Sequence, residues 1–282
     1  MSTLVANFPT VAAYISGNIV PAFVANTVMK GLITSENLQS GTLAHKFPVY
    51  GSLSASSVAE GAQASVVDLT DASVTVTAAK VKVFTKRSEE AELVIGSQAL
   101  DRLTYESGTA IARKFDTDAV TLFTGLSTVA GATGQAMSDV YLEAAIYAHR
   151  AANTQGTLVG VLHPRQIGHL GAAFRANGAV GWNTIAQNGL QNGQPIPSGF
   201  AGNAYGIDFY SSTLVTNDGT DYSGAIFSRY ALGAVFGNNG NVNVMITEDP
   251  EYGLYPLSMS MLYGIAEIKD AAGVKILTKV AA

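Results

Sequence analysis

The sequence predicts an α+β protein, with strands and helices in separate blocks and not in regular alternation. Three observations carry that prediction. Residues 45–87 alternate apolar and polar side chains with period two. Residues 88–125 hold the strongest helical signal. The chain closes on two strand-like stretches, "VNVMITED" and "SMSMLYGIAEIKDAAGVKIL".

The 282 residues are enough for a sizeable core in one large or two modest domains. Charged residues make up 13% of the chain, against roughly 25% in an average domain. Gly, Ala, Ser and Thr take their place, so the surface is either small and polar or covered by other subunits. No cysteine is present, which removes disulfides, thiolate catalysis and cysteine-based metal sites. The net charge of −5, with no basic cluster beyond Lys80 to Arg87, argues against a reader of nucleic-acid sequence. The first charged side chain is Lys30, and Pro9 and Pro21 interrupt the apolar start. Neither a secretory signal nor a membrane span is expected, and the chain reads as soluble and made in the cytoplasm.

In chain order, Val11 to Ile19 and Phe23 to Ile33 suit short helices separated by Pro21, and "SENLQSG" suits a loop. This start reads either as an arm lying on something else or as a cap on the chain's own core. Residues 45–87 read as a long hairpin of about 15 residues a side, on the order of 50 Å in reach. Its apolar parity flips between Val74, Val76, Ala78 and Val81, Val83, which predicts a bulge near Ala78–Ala79. The tip, "SLSASSVAEGAQASVVDLTDASVTV" from Ser52 to Val76, has no aromatic and no basic residue. An isolated two-stranded ribbon is marginal in water, so such a tip must lie on another part of this chain or on another chain.

Ser88 with Glu89 and Glu90 suits a first helical turn, and Gly96–Ser97 marks a break before a longer helix ending at Gly125. Leu100, Leu103, Ile111, Phe115, Leu122 and Phe123 fall near one stripe. Asp101, Arg102, Glu106, Arg113, Lys114, Asp116 and Asp118 take the other side. Ser138 caps a helix through Ala152, with Val140, Tyr141, Ala144, Ile146 and Ala148 available for burial. "TLVGVL" is a buried strand, and Pro164 opens a helix that buries Ile167, Leu170, Ala173 and Phe174. Residues 177–204 form a Gly/Asn/Pro-rich loop, long enough to suggest a task. "YGIDFYSS" and "GAIFSRYALGAVFG" read as strands. The final strand pair turns at Asp270–Gly273.

No catalytic constellation emerges. The phosphate-loop, dinucleotide and nucleophile-elbow motifs are absent. His163 and His169, six apart, do not share a helix face as a metal pair requires, and His163 before Pro164 reads as a helix-start residue. His45 and His149 stand alone. The carboxylates of "TEDPEYG", Thr247 to Gly253, read as a solvated acidic turn, with an acid/base pair or cation site as the less favoured reading. Arg113–Lys114 reads as the wet face of a helix more readily than as an anion site. The expectation is no enzyme, no cofactor and no metal.

The order of these parts resembles a known family. "YLEAAIYAHRA…TLVGVLHPRQIGHLGAAFRA", then "YGIDFYSS", "AIFSRYAL" and the closing "VNVMITEDPEYGLYPLSMSMLYGIAEIKDAAGVKIL" are similar in arrangement to the major capsid protein of tailed bacteriophages. That is the Hong Kong 97 fold, shared with encapsulin shells, and the likeness spans nearly the whole chain.

The resemblance implies an N-terminal arm at 1–44 and an extended loop at 45–87 that reaches over a neighbouring subunit. It implies a peripheral domain at 88–134, completed by 242–282, with a spine helix near 97–125. It places an axial domain at 135–241, whose long loop points to a five- or six-fold axis. Function is then assembly into pentamers and hexamers around double-stranded DNA, in a virion capsid made in the host cytoplasm. Glu60, Asp68 and Asp71 on the loop would meet Arg102, Arg113 and Lys114 of the next subunit. Trp182, Asn188, Gln191 and Pro195 would line the axis. A separate scaffolding protein, a portal and decoration proteins are the implied partners, with weak, sequence-blind contact to DNA and no membrane. Some members crosslink through a lysine at the loop tip, whereas no lysine stands between Lys46 and Lys80 here, so contacts are expected to be non-covalent. A fused scaffolding segment is expected to be absent or already removed. The other readings are an encapsulin compartment with protein cargo, a soluble hydrolase using the carboxylates near Glu248, and a surface adhesin.

Overall fold

The computed structural model describes residues 19–21, 23, 26–51, 55, 57–61, 63, 66, 71–88, 97–154, 156–176, 190–191, 194–195, 199–247 and 253–280. Ile19, Val20, Pro21 and Phe23 have helical backbone, so Pro21 itself stands in a helical turn, and residues 11–18 of the first expected helix lie outside the described residues. Ile19 and Phe23, four apart, are both fully buried, and burial of that one face holds the turn together.

The segment read as a loop at 35–41 begins as a strand. Thr34–Asn37 (β1) pairs in parallel with Leu232–Phe236 (β13). Ala44–Tyr50 (β2) then pairs with Asp71–Thr77 (β3), and there the hairpin ladder ends. The next strand, Ala79–Ser88 (β4), leaves β2 and pairs with Leu254–Glu267 (β15). The parity flip at Ala78 is therefore a change of partner and not a bulge. Ala78 N–H still donates to Leu43 C=O at 2.8 Å as the chain crosses. Gly264 of β15 permits the crossing, because a Cβ there would lie 2.3 Å from the Thr77 carbonyl oxygen.

Two sheets organise the molecule. In the five-stranded sheet β15 carries β4 along one edge, and Asn243–Ile246 (β14) and β13 along the other, with β1 beyond β13. The seven-stranded sheet runs Val129–Gly131 (β5), Gly273–Lys279 (β16), Asp221–Ser228 (β12), Leu158–Leu162 (β6), Ile207–Ser211 (β10) and Phe200–Ala204 (β9), with Thr216–Asn217 (β11) on β12. Leu190–Gln191 (β7) and Gln194–Pro195 (β8) make a separate small ladder. Residues 190–191, 194–195 and 200–204, read as loop, are thus strands. The closing segment does turn at Asp270–Ala272, but β15 and β16 join different sheets instead of pairing with each other.

Alternation decides what lies between the layers. Val81 and Val83 of β4 stand opposite Met261 and Met259 of β15, and this side packs on the helix Ser97–Thr121 (α1). Ser88, read as a helix start, is instead the last residue of β4, paired with Leu254, while Glu89 and Glu90 lie outside the described residues with the rest of 89–96; the longer helix does begin at Ser97. Its buried stripe runs Thr104, Ser107, Ile111, Ala112, Phe115, Ala119, Val120 and on to Phe123, the i, i+3, i+4 spacing of one helix face. Phe115 is the centre of an aromatic cluster. Phe23 meets it edge-on at 5.8 Å, Tyr263 at 5.2 Å, and Phe236 stacks on it at 5.4 Å.

Asp139–Ala151 (α2) and Pro164–Ala176 (α3) cover one face of the seven-stranded sheet through Leu142, Ala145, Leu170 and Phe174. Of the residues read from the sequence for α2, Tyr141, Ile146 and Ala148 are partly buried against this core, and the other two are not. Val140, Ala144 and Tyr147 are exposed, because Leu142, Ala145 and His149 turn toward β5 and β16.

Candidate assembly surfaces

The base of the β2–β3 ribbon is anchored. Phe47 and Val76 are buried with Ala78 against Val235, on the side of the five-stranded sheet away from α1, and Leu262, Ala266 and Ile268 complete this small core. Farther out the support stops. Tyr50 is 58% exposed, and Gly51, Ala55, residues 57–61, Gln63 and Val66 are exposed as well. Val66 reaches 86%. Glu60 sits at the outer turn with Gly61, whose φ of 79° suits glycine. Asp71 ends the ladder opposite Tyr50, and Asp68 lies outside the described residues.

The expected basic receivers are on α1. Arg102, Arg113 and Lys114 are all exposed. Lys114, however, is engaged within its own helix by Asp118 at 2.5 Å, and Glu106 stands on the same stripe as Arg102 and Arg113. That face is of mixed charge. The outward side of β4 is different: Lys80, Lys82 and Lys86 alternate along it and flank Phe84, which is 51% exposed. The Lys82 ammonium lies 4.9 Å and the Lys86 ammonium 5.9 Å from the Phe84 ring. Ser258 and Ser260 of β15 continue this face to Met245 and Asn243 of β14, and no carboxylate occurs in β4, in β14 or in residues 254–263.

The other sequence candidates are scattered. Gln191 and Pro195 belong to the small β7–β8 ladder, while Trp182 and Asn188 lie outside the described residues. So do Glu248, Asp249 and Glu251. Among the described residues no group of three or more His, Asp or Glu could hold a metal ion. His163 is the helix-start residue that its place before Pro164 suggests. Its ring stacks on Tyr222 at 3.8 Å, and its Nδ1 accepts the Arg165 N–H. Burial, then the charge of Arg165, holds it below the usual histidine range. Among the described residues no helix is long and apolar enough to cross a membrane.

No protein-family model matches the chain, and no curated protein matches its sequence. Solved structures do match its shape. The capsid of Ralstonia phage GP4 superposes with a TM-score of 0.68 at 12% identity, over 92% of each chain. The acid-stable capsid of Helicobacter pylori bacteriophage KHP30 gives 0.67 at 13% identity, over 92% of this chain and 90% of the other. The chain has the Hong Kong 97 fold. An encapsulin with this architecture, SrpI of Synechococcus elongatus, matches at 0.65 and 12% identity, over 88% and 85% of the two chains.

Within this Hong Kong 97 fold, two polar residues matter that the sequence did not single out correctly. Asp116, placed on the wet side of the helix, is 3% exposed. Its carboxylate accepts the Thr27 hydroxyl at 2.7 Å and the N–H groups of Val28 and Met29 at 2.8 and 3.1 Å, fastening the incoming arm to α1. Burial pushes the Asp116 carboxyl above the usual range, although these three donors pull it back. Gln166, fully buried, joins α3 to two strands. Its amide donates to the Thr278 hydroxyl at 2.7 Å and toward Tyr222 C=O at 3.3 Å, and its oxygen accepts the His163 N–H.

Proposed function

We propose that the protein is the structural subunit of an icosahedral capsid, self-assembling into pentamers and hexamers around double-stranded DNA, with no catalytic role. The observation that carries this reading is the ribbon. Its base is built into the core, its described tip residues face solvent, and the fold that holds it is the one found in phage capsids. A strand pair with so little apolar bulk needs a second surface to be stable. In this reading a neighbouring copy supplies it.

The peripheral part comprises α1 and the five-stranded sheet. The axial part comprises the seven-stranded sheet with α2 and α3. It differs from the expected units, 88–134 completed by 242–282 and 135–241, in following sheet membership: β5 and β16 belong to the seven-stranded sheet and β13 to the five-stranded one. Glu60, Asp68 and Asp71 meet basic residues of the adjacent subunit. The lysine face of β4 suits them better than Arg102 and Arg113, which share their stripe with Glu106. Exposed pairs contribute about 0–1 kcal/mol each, so charge selects register while burial and backbone pairing supply the affinity. The part of residues 177–204 that precedes β9 lines the capsomer axis. A scaffolding protein, a portal and decoration proteins are the partners of such a shell, and the chain's net charge of −5 suits a wall that holds DNA weakly.

The match to the SrpI encapsulin supports a second reading, a compartment around protein cargo. Electron microscopy of the purified protein tests both: closed particles are expected, and a monodisperse monomer refutes both. Nuclease-protected DNA inside particles from infected cells marks the capsid. Protein cargo without DNA marks the compartment.

A further inference from the structure

Helix α3 starts on a histidine cap. A helix N-terminus leaves N–H groups without partners, and a Ser, Thr, Asp or Asn side chain usually accepts one of them. Here the acceptor is an imidazole. His163, just before Pro164, takes the Arg165 N–H on its Nδ1 at 3.2 Å, and Gln166 Oε1 reaches back to the His163 N–H at 2.9 Å. This is the reciprocal pattern of a capping box, with histidine in the place of Ser or Thr. Tyr222 of β12 fixes the ring in this role, stacked on it at 3.8 Å and within 9° of parallel. Ser, Thr and Asn do not titrate near neutral pH, whereas histidine does. An Nδ1 that takes a proton becomes a donor and no longer accepts the Arg165 N–H.

The same turns gather positive charge. The Arg165 guanidinium donates to the Val280 carbonyl, just past the end of β16. His169 follows four residues later on the same helix face, and among the described residues its buried Nδ1 has no hydrogen-bond partner. α3 itself contains no carboxylate. Carboxylates on the elements packed around it are bonded to other groups. Glu143 of α2 accepts the Tyr205 hydroxyl at 3.3 Å, Asp208 of β10 the Asn203 amide at 2.7 Å, and Asp221 of β12 the Gly134 N–H at 2.9 Å. A proton on His163 therefore removes the cap acceptor, and a proton on His169 adds a second cation to the face that carries Arg165.

We propose that the start of α3 is an acid-released latch, which holds the helix on the seven-stranded sheet while His163 and His169 are neutral and releases it when they take protons. Gln166 ties the latch to the sheet, because the same side chain that completes the cap donates to Thr278 of β16 and toward Tyr222 of β12. The latch goes beyond the shell reading and does not depend on it. The direction of titration agrees with the geometry. Burial, then the charge of Arg165, holds His163 below the usual histidine range, and burial, then Lys279 and Arg165, does the same to His169. A base held low takes its proton more readily in the unfolded chain. Its contribution is complete above the unfolded value and is lost as pH falls from there toward the lower folded value. His149 of α2 is also held low, by burial and by Lys269, but its Nε2 shares a hydrogen bond with the Thr154 hydroxyl, in the turn that closes α2.

Hydrogen exchange on the full chain as purified tests the latch. After correction for intrinsic rates, the α3 amides should lose protection as pH falls from about 7.5 to about 5.5, and Ile226 within β12 should hold. With an unfolded value of about 6.5, one imidazole supplies at most about a tenfold loss over that interval. His163→Asn keeps a cap acceptor that does not titrate, and His169→Gln removes the second charge. In the double variant the α3 amides should stay within about twofold of their protection at the upper pH. Thermal melting at the upper pH shows whether the double variant is folded; if it is not, the comparison of α3 with Ile226 in the unmutated chain decides alone. An α3 that follows Ile226, or a folded double variant that keeps the full loss, overturns the proposal.

Discussion

The Thr27 hydroxyl donates to the Asp116 carboxylate at 2.7 Å, across 89 positions of sequence and inside a site closed to water. With the Val28 and Met29 N–H groups it makes Asp116 the cap of the short 3-10 turn Met29–Gly31, supplied not by the turn's own flank but by the middle of α1. Asp116→Ala leaves three donors without an acceptor. A buried unsatisfied group costs about 1–3 kcal/mol, and partial relaxation of the arm keeps the expected total near 3 kcal/mol. Thr27→Val, which removes one donor at constant volume, should cost about 1 kcal/mol. Urea unfolding measures both, and an Asp116→Ala chain as stable as the parent would show that the arm is held by other means.

The same carboxyl group has a pH signature. Burial raises Asp116 above the usual carboxylate range, so the folded chain takes up its proton more readily than the unfolded chain does. Its contribution is complete below the unfolded value and declines as pH rises through the raised folded value. Tyr263 is an ionisable side chain that feels the Asp116 charge. The Lys30 ammonium lies 4.9 Å from the Phe23 ring, and the Tyr263 hydroxyl donates to Asp118 at 2.9 Å. Subtracting the urea midpoints of Asp116→Asn from those of the parent between about pH 4 and pH 8 should give a difference that changes with that slope. A pH-independent difference would mean that Asp116 is ionised throughout the range.

Some of this was open to reading and some was not. The helix repeat places Asp116 four residues after Ala112 and four before Val120, squarely on the buried stripe, but its charge argued for the wet side. The parity flip at Ala78 is visible in the sequence, while its cause, a change of partner from β2 to β15, depends on residues nearly two hundred positions away. β1 gives no period-two signal, since Ser35, Glu36 and Asn37 are all exposed, and only the edge of β13 makes it a strand. For the closing segment the turn is local and legible. Which sheet each strand joins is set by long-range pairing that periodicity does not encode. The ribbon tip was the clearest candidate surface, because lack of bulk is a property of composition alone.

That composition also predicts how subunits are held. No lysine lies between Lys46 and Lys80, so the outer ribbon cannot donate an amine to an isopeptide bond. Boiled particles should run on denaturing electrophoresis as one band near 29.2 kDa. A ladder of covalent oligomers would refute non-covalent assembly.

The ribbon and its receiving face can be separated by two sets of variants. Deleting residues 55–70 removes Glu60 and Asp68 but spares Phe47, Val76 and Ala78, which hold the base. The shortened subunit should melt within a few degrees of the parent and yield at least about tenfold fewer shells. Lys82→Glu with Lys86→Glu should also weaken assembly, and more than Arg102→Glu with Arg113→Glu, because no carboxylate of β4 or β14 offsets the lysines. One exposed pair is worth little, but six in a ring at about 0.5 kcal/mol each add to about 3 kcal/mol, roughly a hundredfold in association. Salt near 0.5 M shortens the Debye length to about 4 Å and should narrow the gap between the two reversals. Normal shells from the deletion would remove the ribbon from the interface, and a larger loss from the arginine pair would move the receiving face to α1.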